Sequence, residues 1–233
     1  MLKDKPVLYT YWRSSAAFRV RIALNLKKIP YDPIFVNLRA SEHQSAGWLI
    51  NENPQGFVPV LRDGRIVVAQ SLAIIEYIDE RWRAEDEQGL VAVDPNDFIS
   101  RAEVRRLAHL IACDVHPLNN LRVKQYFMGP LGQSESEWES WCRRWIYEGF
   151  RSYEKIISEG SNSRRFSHGA RPTMADCCLI PQVYNALRVH CDMDRFPNIE
   201  RIYEHCMTLD AFRNAAPENQ PDAPMEENHA RIL

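Results

Sequence analysis

Two serines stand where a β-branched and aromatic run, Val7 to Trp12, gives way to a helical pattern in Arg13-Ser14-Ser15-Ala16-Ala17-Phe18-Arg19-Val20-Arg21. A hydroxyl at that junction can cap the helix by accepting a backbone N–H. It can equally donate to a thiolate, because the helix dipole favours a negative sulfur there and lowers a bound thiol's pKa. Both readings stay open for Ser14 and Ser15. A second candidate is Asn53-Pro-Gln-Gly-Phe-Val58-Pro59, where a proline sits at the entrance of a strand. A trans bond would make an ordinary turn. A cis Val58-Pro59 bond would turn the Val58 N–H and C=O outward as a strand edge able to hold an extended peptide. Third, Gln70-Ser71 opens a helical pattern, with Ser71 as its N-cap or as part of an anion site at the helix N-terminus. The strand edge and the helix end together describe a site for a short peptide with an anionic end. Thr173-Met-Ala-Asp176, by contrast, has the spacing of a capping box and is a folding signal.

The elements that must position these residues fall into two groups. Val7 to Trp12, then a helix in which Phe18, Ile22 and Leu26 recur every four residues, then Ile34 to Leu38 form a strand–helix–strand unit ended by Pro30 and sized for a parallel crossover. After a polar stretch from Ala40 to Glu52, Val58 to Leu61 and Arg65 to Ala69 flank Arg62-Asp63-Gly64 as a hairpin. A helix from Ser71 to Trp82 closes a thioredoxin-like order of elements. Strand signals then cease. Four helical patterns follow, around Val104 to Ile111, Trp138 to Ile157, Cys178 to Leu187 and Ile199 to Leu209. The expected organisation is an α/β thioredoxin-like domain over 1–83, a linker over 84–97, an all-α domain over 98–216 and an extended, proline-bearing tail over 217–233.

Composition narrows the function classes. A chain of 233 residues with 45% hydrophobic and 26% charged residues is long enough to bury a core without disulfides or metal. Lys and Arg (29) nearly balance Asp and Glu (31), so no global field favours nucleic acid, and any cationic site is local. No apolar run has the length of a membrane span, and MLKDKPVLYTYW lacks the pattern of a signal peptide, so a cytoplasmic protein is expected. The six cysteines lack C-x-x-C spacing and read as free thiols. Cys113 with His116, and His205 with Cys206, lack a second pair at ligand spacing, so no metal is expected.

Taken together and in this order, these segments resemble the cytosolic glutathione transferases, and closely the zeta class, which includes maleylacetoacetate and maleylpyruvate isomerases. The resemblance runs from Leu8 to about Asp222. It rests on Ser14-Ser15 with Arg19-Val-Arg-Ile-Ala-Leu24, Asn53-Pro54 with Val58-Pro59, Gln70-Ser-Leu-Ala-Ile-Ile-Glu-Tyr77, His116-Pro-Leu-Asn-Asn-Leu-Arg122 and Thr173 to Gln182. It implies glutathione as cofactor, with Ser14 on the sulfur, the Val58 backbone beside Pro59 on the cysteinyl backbone, and Gln70 and Ser71 on the γ-glutamyl group. It also implies His43 at the glycyl end, His116 and Asn120 as further contacts, and a homodimer. Many zeta members read Ser-Ser-Cys where this chain has Ala16. Glutathione brings its own sulfur, so the chemistry needs only a donor for the thiolate.

The implied reaction is cis–trans isomerisation of a dianionic enedione in aromatic-compound or tyrosine breakdown, by thiolate addition, bond rotation and elimination. Arg13, Ser14 and Ser15 are the catalytic candidates. Arg13, Arg122 and Arg188 are the candidates for gripping the carboxylates, since a guanidinium binds them in a fork. Two alternatives share the scaffold. One is a transferase that conjugates or dehalogenates electrophiles, which would want an apolar pocket. The other is a non-catalytic interaction module, which would not need Ser14, Gln70 and Ser71.

Overall fold

The structure, a computed structural model, describes residues 5–83, 89–91, 96–159 and 165–224. It divides into two units, Met1–Leu90 with Thr208–Leu233, and Val91–Met207. The division falls inside the expected linker, of which 84–88 and 92–95 lie outside the described residues. The segment after Met207 belongs with the first unit, whereas the sequence suggested that the helical domain runs to 216. It is also not wholly extended, since Pro217–Asn219 form a 3-10 turn.

The first unit holds a four-stranded sheet of order β2-β1-β3-β4, with β1 (Val7–Thr10) parallel to β2 (Asp32–Phe35) and antiparallel to β3 (Val60–Asp63), which pairs antiparallel with β4 (Ile66–Ala69). β2 begins earlier than Ile34 because its register against β1 sets Val7 opposite Asp32. Pro33 is accommodated because β2 is an edge strand. The hairpin loop is Gly64-Arg65, one residue later than expected. Gly64 has φ +60°, which the first central position of a type II′ turn requires. The polar stretch expected to be irregular contains a short helix, α2 (Ala46–Asn51), with Trp48 buried.

α1 (Ser15–Leu26) is buried along most of its length and packs with α3 (Ser71–Arg81). It stops before Pro30. Lys28 takes a left-handed conformation, Lys28 N donates to Asn25 O and Ile29 N to Leu24 O, the bonding of a Schellman cap. Three cations of α1 are buried: Arg19, Arg21 and, at its C-cap, Lys27. Lys27 Nζ lies 3.5 Å from Asp79 Oδ1 on α3, and the same carboxylate accepts from Leu90 N at 2.7 Å and from Arg83 at 3.0 Å. Arg21 reaches the C-terminal segment, where α9 (Asp210–Arg213) packs on α1 and Arg21 Nε donates to Ala215 O at 2.9 Å.

The second unit is helical. α4 (Phe98–His109) continues into a π-helical stretch, Leu110–Val115, and a 3-10 turn, His116–Asn119. α5 (Leu121–Met128), α6 (Glu135–Glu159), α7 (Met174–Arg188) and α8 (Pro197–Met207) follow. α5 was not expected, because its eight residues make only two turns, too few to mark out a helix by period, although Phe127 packs against Trp138 and Trp141 of α6. A Cβ at Gly149 of α6 would lie 2.1 Å from Val115 Cγ2, so the glycine lets α6 approach the irregular stretch. The capping box at α7 forms as its spacing predicts. Asp176 Oδ2 accepts from Thr173 N at 2.8 Å and Oδ1 from Ser167 N at 2.7 Å, while Tyr153 donates to Ser167 Oγ at 2.8 Å.

Asp176 is fully buried, so removing its carboxylate strands two backbone donors as well as the cap. Asp176→Ala should therefore lower the unfolding free energy by about 2–4 kcal/mol, read from the urea midpoint at unchanged slope.

Candidate functional site

The β1 strand ends in a tight turn, with Ser14 N donating to Tyr11 O at 3.0 Å, and that turn delivers Arg13 and Ser14 to the start of α1. Ser14 is the N-cap, with φ −70° and ψ 114°, and its Oγ accepts from Ala17 N at 3.2 Å. Capping uses an oxygen lone pair and leaves the hydroxyl proton available, so the two readings of Ser14 are compatible. Ser15 is buried as the first residue of α1, while Ser14 and Ala16 are half-buried. Arg13 is half-buried beside Ser14, and among the described residues its guanidinium makes no ion pair or hydrogen bond.

The peptide-like edge is present. The Val58–Pro59 bond is cis, and among the described residues no hydrogen bond engages the Val58 backbone. The loop before it is shaped by Asn53, whose Oδ1 accepts from Gln55 N and whose Nδ2 donates to Phe57 O, both at 3.0 Å. Gly56, at φ +65°, lies where a Cβ would meet the Gln44 amide at 2.5 Å. Gln44 Nε2 donates to Gly56 O at 3.2 Å, which ties the loop to the turn carrying His43. His43 is buried, its Nδ1 has no partner among the described residues, and burial lowers its pKa, which favours the neutral ring.

At α3 the sequence reading needs a correction. Gln70, with φ +73°, takes the N-cap position, and Ser71 is the first residue inside the helix. Ser71 does not cap; its Oγ accepts from Arg19 Nη1 at 3.1 Å, both groups being buried. Gln70 Nε2 donates to Gln55 Oε1 at 2.6 Å, tying the helix end to the loop before Val58. Neither α1 nor α3 carries an acid in its first turn. Both helix ends therefore keep their partial positive charge for an anion. Arg19 and Gln55 were not singled out from sequence. The readable signal was two arginines, Arg19 and Arg21, inside a helix whose other residues are almost all apolar.

The remaining candidates lie in the second unit. His116 starts the 3-10 turn and is half-buried. Asn120 is the N-cap of α5, its Oδ1 accepting from Arg122 N at 3.0 Å and Val123 N at 3.4 Å, so the amide oxygen serves the helix. Arg122 is exposed in the first turn of α5, and Arg188 is exposed at the last residue of α7. Gln182 of α7 donates to Asn119 at 3.3 Å, and Arg188 lies about 9 Å further along that helix. An open groove lined by Arg143, Arg144, Arg151 and Arg195 contains none of the residues singled out from sequence.

A family model, glutathione S-transferase N-terminal domain, matches residues 6–80. A probable maleylacetoacetate isomerase of Vibrio cholerae is 44% identical over 93% of this chain and 98% of its own length. A maleylpyruvate isomerase of a Ralstonia species is 41% identical over 93% of this chain and 99% of its own. The chain belongs to the zeta-class glutathione transferases. A solved maleylpyruvate isomerase described as a bacterial zeta-class member superposes with a TM-score of 0.88 at 41% identity, covering 94% of this chain and all of its own. A maleylacetoacetate isomerase from Methylobacterium extorquens, solved with bound malonate and GSH, gives a TM-score of 0.84 at 37% identity, covering 94% of this chain and 99% of its own. The zeta-class assignment accounts for a thioredoxin-like sheet unit followed by helices.

None of the six cysteines is disulfide-bonded, and only Cys113 is exposed. Burial pushes Cys142 up to about 12 and Cys191 to about 11, and raises Cys177 and Cys206 as well. Iodoacetamide at neutral pH should therefore label Cys113 alone in the native protein and all six cysteines after unfolding, as read by intact mass and peptide mapping.

Proposed function

We propose that the protein is a glutathione-dependent cis–trans isomerase of maleylacetoacetate or maleylpyruvate. The observation that carries this reading is the pairing of Ser14, whose hydroxyl proton is available at an uncompensated helix end, with Arg13, a half-buried guanidinium lacking an internal counter-charge among the described residues. A conjugating enzyme for neutral electrophiles has no use for that cation. A dicarboxylate does.

The residues present fit glutathione. The unengaged Val58 backbone beside Pro59 suits the cysteinyl N–H and C=O. Gln70 and Ser71, with the α3 N-terminus and the buried Arg19 charge behind them, suit the γ-glutamyl carboxylate. We assign His43, whose burial favours the neutral ring, to the glycyl end as a hydrogen-bonding group. When bound, glutathione supplies the thiol whose reversible addition to the cis double bond frees that bond to turn.

The chain's own part is electrostatic. Ser14 donates to the sulfur and, with the α1 dipole, favours its ionised form, while Ser15 belongs to the same helix end. Arg13 forks onto one carboxylate and stabilises charge that develops on the substrate's oxygens. Arg122 and Arg188 are the candidates for the second carboxylate, and His116 and the Asn120 amide N–H are further donors. Arg does this better than Lys because its planar fork matches a carboxylate's two oxygens.

No helix among the described residues is long and apolar enough to cross a membrane, and we place the enzyme in the cytoplasm, with small molecules rather than nucleic acid as partners. We also propose a homodimer. Phe98 and Ile99, at the start of α4, are 77% and 65% exposed, an apolar pair suited to a two-fold contact.

Purified protein should isomerise maleylpyruvate or maleylacetoacetate only with glutathione present. Ser14→Ala should cut kcat about 100-fold, and Arg13→Ala should raise KM for the dicarboxylate with Arg13→Lys only partly restoring it. Conjugation of an aryl halide without isomerisation would overturn the assignment. Phe98→Glu with Ile99→Glu should shift the light-scattering mass from dimer to monomer.

A further inference from the structure

The turn that carries Arg13 and Ser14 is held from behind by two charged groups that no helix end or strand ladder requires. Arg21, 0% exposed, spreads its guanidinium across the end of β1. Nη1 donates to Thr10 Oγ1 at 3.1 Å and to Tyr11 O at 3.3 Å, and Nη2 donates to Trp12 O at 3.0 Å. Its remaining Nε donates to Ala215 O in the C-terminal segment. From the same segment Asp222 Oδ2 accepts from Trp12 N at 2.9 Å. Tyr11 O, Trp12 N and Trp12 O are thus all engaged, immediately ahead of Arg13 and Ser14. Trp12 also packs with Tyr11, Trp48 and Val58 in one buried cluster, against which Ala223 lies.

A turn this short transmits any shift of Trp12 to Ser14, since only one residue separates them. We infer that Arg21 and Asp222 are positioning residues for the Ser14 hydroxyl, and that the segment 215–223 is a working part of the glutathione site rather than a passive tail. The inference rests on the assignment of Ser14 to the glutathione sulfur. Directional hydrogen bonds suit both groups to the task. Burial lowers the Arg21 pKa only to about 10, so it remains a cation at neutral pH and a stronger donor than a neutral group. Burial raises the Asp222 pKa, so its part rests on the oxygen that accepts from Trp12 N. The sensitivity follows from geometry, because displacement of a reacting group by about 1 Å can cost two orders of magnitude in rate.

The test compares Asp222→Ala with Asp222→Asn in the full chain, the asparagine retaining an oxygen that can accept from Trp12 N. Ultraviolet absorbance of the thiolate in the glutathione complex, followed against pH, reads the bound thiol's pKa, and KM and kcat are measured beside it. Asp222→Ala should raise the thiol pKa and lower kcat at neutral pH about tenfold, as expected for one lost buried hydrogen bond, with Asp222→Asn, which keeps the acceptor oxygen, restoring most of both. Unchanged thiol titration and kcat in Asp222→Ala would overturn the inference, even if its melting temperature falls. So would an asparagine variant as impaired as the alanine one. Ser14→Ala is the control: if it leaves the thiol titration unmoved, the assignment of Ser14 fails, whereas an effect in Ser14→Ala with none in Asp222→Ala defeats the positioning role alone.

Discussion

Neither α1 nor α3 begins with an acidic side chain, whereas α6 opens with Glu135 and Glu137 and α7 with Asp176. A carboxylate in the first turn satisfies orphan N–H groups and neutralises the positive end of the dipole from within. α7 spends that end on its own stability. α1 and α3 have no such carboxylate, and Arg19 places a full positive charge against Ser71 behind the second of them. On the proposed reading the first unit receives two negative groups, one at each of these helix starts, with the strand edge at Val58 lending extended backbone pairing. A thiolate and a carboxylate on a short peptide match that pattern.

Leaving helix ends uncompensated is tolerable only if the helices are fixed by other means. α1 is fixed by directional bonds as much as by apolar burial. Arg19 reaches α3, Arg21 reaches the end of β1 and the C-terminal segment, and Lys27 meets the Asp79 carboxylate that also accepts from Leu90 N. Buried cations contribute little to net stability, because desolvation offsets most of their attraction, but each tolerates few alternative arrangements. One helix carrying three of them has a narrowly defined position relative to the sheet.

The scaffold does not select the reaction. A thioredoxin-like unit with glutathione-binding features serves conjugation and isomerisation alike, so the substrate reading rests on charge at the site. Arg13 is the informative residue, since a half-buried guanidinium with no partner among the described residues is suited to meet an arriving anion. Ala16 brings no thiol to the start of α1. The nucleophilic sulfur comes with the cofactor, and the chain need only stabilise it.

Features whose cause lies within a few residues were legible in the sequence. The Thr173–Asp176 capping box and the hairpin at Gly64 form because the bonds and dihedrals that make them are local, although the loop is Gly64-Arg65 rather than the turn read from sequence. The strand and helix alternation was legible too, from periodicity. Ser14 was found for the same reason, since a helix start announces its own capping residue. Missed or misassigned elements had no such local signature. α5 is only two turns long, too short for its period to stand out, and Ser71 was taken for an N-cap because Gln70's left-handed backbone leaves no mark on residue type. Arg19 meets Ser71 across 52 positions, Arg21 meets Ala215 across 194, and Asp222 meets Trp12 across 210. Chain order carries no information about such pairings, because they exist only once the sheet and helices have packed. The sequence by itself determined where α1 and α3 begin, to within a residue, because capping and periodicity are local; only the tertiary structure decided which buried charges hold those starts in place, because those pairings join residues far apart in the chain.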